Sequence, residues 1–170
     1  MKKVICFIAF VLIAAFIYKA AMAESTPQLI ATHDDWSVYT FNEDDNKVCF
    51  MSTQPSNQEG DYSKRGEVFM FVTHWSNDKE RNVVSISNGY AFKKDSNVTV
   101  MIDDKIFKMF TQGEMAWTKD ADTDNEMTKG IKKGSGMTVE GVSKHGTHTK
   151  DTYSLKGSGD AYKAMVAACK

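Results

Sequence analysis

The chain has 170 residues, 42% of them hydrophobic and 25% charged, with 21 Lys and Arg against 22 Asp and Glu. That balance excludes a disordered chain, a collagen-like repeat and a multi-spanning membrane protein, and one folded domain accounts for the length. A formal charge of −1 and a pI near 6.4 argue against a dedicated nucleic-acid binder.

The first residues read as an address rather than as fold. Met1-Lys2-Lys3 is a basic start, residues 4–18 are an apolar run, and Ala21-Met22-Ala23 is a small-residue cleavage pattern. This is the layout of a secretory signal peptide over residues 1–23. Fifteen apolar residues rise only about 22 Å as a helix, short of the ~30 Å hydrocarbon core, so a membrane anchor fits less well. Removing this segment takes away Lys2, Lys3 and Lys19 and leaves a net charge of −4. It also leaves two cysteines, Cys49 and Cys169. In an exported chain two cysteines pair, which would join an early strand to the last helical turn. Chain-entropy reasoning gives such a long loop roughly 4–5 kcal/mol.

Residues 24–34 are polar, contain Pro27 and read as a flexible lead-in. Residues 36–41 alternate with a period of two, and residues 48–51 give a second strand. Residues 54–64 hold Pro55 and Gly60 among polar residues and read as a surface loop. Residues 67–75 (EVFMFVTHW) are apolar on both faces, as in a central strand. Segments 82–87 and 89–92 continue the series. Val98, Val100 and Ile102 alternate with polar partners, and Asp103-Asp104-Lys105 turns the chain tightly into residues 106–110. A short strand, Met115-Ala116-Trp117, follows Gly113. Residues 137–143 and 147–155 pair across a turn at Lys144-His145-Gly146. Two helices interrupt this pattern. Thr123 and Glu126 have capping-box spacing, and Gly134 stops a helix near 124–133. Ala161, Ala164, Met165, Ala168 and Cys169 share one face of a second helix near 159–169. The pattern predicts one mainly-β domain over residues 35–170, an antiparallel β-sandwich or barrel-like fold with two short helices.

Candidate chemistry is sparse. His145 and His148 are three apart, and on a strand that spacing points them to opposite faces. Asp120, Asp122, Asp124 and Glu126 mimic a calcium loop, but the sixth and twelfth positions are Asn125 and Ile131 rather than Gly and Glu. Ser154, Asp151 and His148 could cast a hydrolase, yet no nucleophile elbow surrounds the serine, and Asp151 lies on the opposite strand face from the other two. His74, beside Trp75 in an apolar strand, reads as a hydrogen-bonded core histidine. No phosphate loop, dinucleotide fingerprint or zinc-protease motif is present, so no catalytic residue, metal or cofactor is assigned.

The stretches GYAFK, VTVMIDDKIFKMFTQGEMAW, MTKGIKKGSGMTVEG and HGTHTKDTYSLKG resemble the invasion-associated locus B family of alphaproteobacterial exported proteins. The earlier DWSVYTF, KVCFMSTQP and KRGEVFMFVTH are similar to it too, so the resemblance runs from Asp35 to Cys169. Two positions depart from the family's pattern: members often carry Arg where His145 stands and an aromatic where Ser158 stands. The resemblance implies a secreted or envelope-associated β protein, linked in some pathogens to host-cell entry, with no catalytic residues to carry over.

Two expectations of different class follow. The first is a non-enzymatic envelope protein, periplasmic or else outer-membrane-associated or secreted. It would have no membrane span after cleavage, and its partner would be an unknown envelope or host-surface protein. Contacts would come through the 54–64 loop and the hairpin of Lys144, His145 and His148. The alternative is a small periplasmic hydrolase or metal-dependent enzyme using His145 and His148.

Overall fold

The computed structural model describes residues 26–43, 46–76 and 81–170. The signal-peptide reading of residues 1–23 lies outside the described residues.

Among the described residues eleven strands and two helices follow one another. They are β1 (Gln28–His33), β2 (Trp36–Glu43), β3 (Asn46–Thr53), β4 (Asn57–Gly60), β5 (Phe69–Trp75), β6 (Val83–Ser87), β7 (Asn97–Ile102), β8 (Lys105–Gln112), β9 (Met115–Trp117), α1 (Ala121–Lys133), β10 (Gly136–Val142), β11 (His148–Ser154) and α2 (Ser158–Ala168). All strands join one antiparallel sheet in the order β1-β2-β3-β5-β6-β9-β8-β7-β10-β11-β4. The mainly-β, antiparallel expectation with two helices therefore holds. The sheet stays open, with β1 and β4 as its edges.

Open does not mean flat. β2 and β11 stand eight places apart in the order, which at about 4.8 Å per step would separate them by roughly 38 Å in a flat sheet. Yet the Trp36 indole N–H donates to the Ser154 carbonyl at 3.2 Å, and the Asp35 amide donates to the Lys156 carbonyl at 3.4 Å. The sheet must curl on itself. Its concave face is the alternating set that the sequence displays: Trp36 and Val38, Cys49 and Met51, Met70 and Val72, Val84 and Ile86, Val98 and Val100, Met137 and Val139, all buried.

The helices pack onto this same face, α2 against β1, β2 and β3, and α1 against β6, β7 and α2. The first helix begins three residues before the expected start. Asp120, not Thr123, is its N-cap, and its carboxylate accepts from the Thr123 amide at 2.8 Å and hydroxyl at 2.6 Å. Asp124, one turn in, is buried and accepts from the Val84 amide at 2.8 Å and the Thr118 hydroxyl at 2.5 Å, which docks α1 on β6. The start of α2 closes on the end of α1 where the buried Ser158 hydroxyl donates to the Ile131 carbonyl at 2.7 Å. Cys49 and Cys169 are bonded, with Cα atoms 5.7 Å apart, so the tail of α2 is tied to β3.

Three readings need correction. The lead-in over residues 24–34 is not loose throughout, because residues 28–33 form β1 along β2. The 54–64 segment is not all loop: residues 57–60 form β4, whose NQEG sequence carries no apolar alternation because all four residues are exposed. Residues 89–92 form no strand and make only a single bridge, Phe92 with Ser143.

Candidate interaction surface

Pairing of β4 with β11 brings together the two segments named as contact surface. Gly60 faces Thr149 and Glu59 faces Lys150, so the 54–64 segment lies beside the β10–β11 hairpin. A cleft of about 450 Å³ opens there, lined among others by Glu59, Asn97, Glu140, His148 and Lys150. Cross-strand register sets an alternating ladder on this face, Glu59–Lys150–Glu140–Thr99. Lys150 and Glu140 approach to 3.3 Å, and both side chains are about half exposed, so the pair contributes little to stability.

The three hairpin residues part company. His148 lines the cleft, as an exposed first residue of β11 opposite Val142. Lys144 and His145 are exposed in the turn beyond it and do not line the cleft. Their backbone is fixed, since the Lys144 amide donates to the Ala91 carbonyl at 2.8 Å and the His145 amide to the Ser143 hydroxyl at 3.2 Å. Among the described residues no group of three or more His, Cys, Asp and Glu is placed to hold a metal ion.

The opposite face of β11 carries a feature that the sequence reading missed. The side chains of Arg65 and Asp151, 86 residues apart, are only 3% and 0% exposed and form a two-pronged pair at 2.7 and 2.6 Å. The Arg65 Nε–H donates to the Asn88 carbonyl at 2.8 Å, and the rings of Tyr62 and Tyr90 flank the guanidinium, with centroids 5.3 and 5.2 Å away. Burial pulls the Arg65 pKa down, but the hydrogen bonds and charge of Asp151 more than offset it and hold it above its usual value. Gly89 permits this approach: its φ is +68°, and a Cβ there would strike the carbonyl of Gly66, next to Arg65. The network extends from the Asn88 amide to the Tyr90 hydroxyl at 3.0 Å and on to the Thr149 hydroxyl at 2.6 Å. Buried Tyr153, whose hydroxyl has no partner among the described residues, borders it; burial, reinforced by the Asp151 charge, pushes its pKa far up and keeps the phenol neutral.

Two hints of Arg65 were available. It is one of only two arginines in the chain, and it precedes a glycine. Neither names a partner.

This arrangement disposes of the triad by geometry. Asp151 is buried on Arg65, His148 is exposed on the other face, and the Ser154 hydroxyl accepts from the Lys156 amide at 3.2 Å. His74 is buried, accepts at Nδ1 from the Asn82 amide at 3.1 Å and meets the Tyr162 ring edge-on at 5.8 Å. The surface offers fixed hydrogen-bond groups and alternating charge.

Compared with known proteins, residues 36–166 match the family described as "Invasion associated locus B (IalB) protein". No curated protein and no solved structure matches the chain.

Proposed function

The chain belongs to the invasion associated locus B family, and from that membership we propose that it is an exported, non-enzymatic protein of the cell envelope that works by binding a partner. The observation that carries the reading is the Cys49–Cys169 bond. A structural disulfide persists in oxidising compartments and is reduced in the cytosol, so a chain built around one belongs outside it. The basic-apolar-small start of the sequence points the same way. A periplasmic location fits best, and contribution to host-cell contact is the finer role that the family's description suggests. The partner would meet the cleft between β4 and the β10–β11 hairpin, where His148 stands beside a charge ladder. Hydrolysis through His145 and His148 has less support, because only His148 reaches the cleft.

The test is direct. Protein isolated from the envelope fraction under thiol-trapping conditions should begin at Glu24 and carry no free thiol. Full-length protein in the cytosolic fraction with Cys49 and Cys169 both alkylated would overturn the proposal.

A further inference from the structure

The convex face of the sheet carries a second, unrelated feature. Tyr39 on β2, Phe50 on β3, and Phe69 and Phe71 on β5 are all half-buried there. Their rings form a connected series. Tyr39 stacks on Phe50 with centroids 5.0 Å apart and planes 13° apart, Phe50 meets Phe71 edge-on at 5.9 Å, and Phe71 meets Phe69 at 5.7 Å. Register carries the same face into a polar cleft, because Ser37 lies opposite Ser52, and Ser52 opposite Phe71. This cleft of about 300 Å³ is lined by Tyr39 itself with Asp35, Gln54 and a set of hydroxyls that includes Ser37 and Ser52. Among the described residues no Lys or Arg lines it. Gln54 is steered by its neighbour, its amide donating to Glu67 at 3.1 Å.

We propose that this platform and cleft bind a neutral saccharide chain. A pyranose ring has one face of C–H groups with partial positive charge, which suits the negative face of an aromatic ring, and a rim of hydroxyls that need donors and acceptors. The cleft supplies both halves side by side. A wholly apolar occupant would take the Asp35 carboxylate out of water. A polyanion would meet the Asp35 carboxylate in the lining, and the nearby Lys156 ammonium is already paired with Asp34 at 2.9 Å. A second copy packed face to face would bury the Asp35 carboxylate against apolar rings. The inference rests on the export reading only for where the chain would meet glycans; binding by purified protein does not depend on it.

The experiment is NMR titration of the isotopically labelled mature chain with two neutral probes, a β-1,4-linked N-acetylglucosamine tetramer and cellotetraose. At least one probe should shift the amides of Ser37, Tyr39, Ser52, Gln54 and Phe71. Tyr39→Ala should weaken that binding about tenfold, the worth of one good aromatic contact. Gln54→Ala, an exposed position that leaves the fold intact, should weaken it about fivefold, one net hydrogen bond. Met101→Ala, exposed on distant β7, should change nothing. No shift with either probe, shifts confined to the His148 cleft, or shifts that track protein concentration alone would each overturn the proposal. Binding by purified protein that is then found only in the cytosol would leave this inference standing and remove the functional reading instead.

Discussion

Asp151 shows how one side chain can settle between two roles. On sequence it could belong to a hydrolase cast; in the fold its carboxylate is spent on Arg65, both groups out of water. Removing one member of a buried pair leaves an uncompensated charge, at a cost of about 3–5 kcal/mol. Asp151→Asn should therefore lower the free energy of unfolding in urea by that amount. The double change Arg65→Met with Asp151→Leu should cost much less, because neither charge remains. A second residue-scale effect concerns His74. Burial, followed by the charges of Arg81 and Lys132, holds its pKa below the ordinary 6.5. The unfolded chain then binds the proton more readily than the folded one, so stability is fully present above about pH 6.5 and falls as pH drops below it. Thermal melts of the wild type and His74→Gln across pH 7 to 5 should show a shallower decline in the variant. An equal slope in both would remove His74 as the cause.

At the scale of elements, α2 is held at both ends. Gly157 precedes it with φ +86°, and a Cβ there would collide with the His33 backbone carbonyl on β1. Gly157→Ala should cost more than about 1 kcal/mol in chemical denaturation, because both φ and space are wrong for alanine. At the far end the disulfide closes a loop of 120 residues. Cys49→Ala with Cys169→Ala should lower stability by about 2–5 kcal/mol, read as a drop in the denaturation midpoint. The internal strands were legible because each buries one face, and burial writes a period of two into the sequence. The edge strands were not. In β1, Leu29 and Ile30 are 58% and 45% exposed, and β4 is exposed throughout, so neither carries that period. The start of α1 was misread because Asp120 and Thr123 are both good caps, and only the backbone shows which one flanks the first turn.

The whole molecule is closed by contacts between distant parts of the chain. Trp36 reaches Ser154, Arg65 reaches Asp151 and Cys49 reaches Cys169, so the first third of the domain has no core without the last. Unfolding should therefore be one cooperative event. Tryptophan fluorescence, which senses fully buried Trp36, and far-ultraviolet circular dichroism should give coincident denaturation curves. Two separated transitions would show that the curled sheet divides into independent halves.

Local information in the sequence was enough to determine the internal antiparallel strands and the two helices, because periodicity and caps act within short reach, while the family was legible from the resemblance of whole stretches such as HGTHTKDTYSLKG. Tertiary structure alone decided that the sheet stays open yet curls, that Arg65 neutralises Asp151, that His148 joins a cleft while Lys144 and His145 do not, and that Tyr39 borders a hydroxyl-lined groove. Each of these depends on groups tens of residues apart meeting at a few ångströms, and no local pattern encodes which of many chemically suitable partners the folded chain will bring into contact.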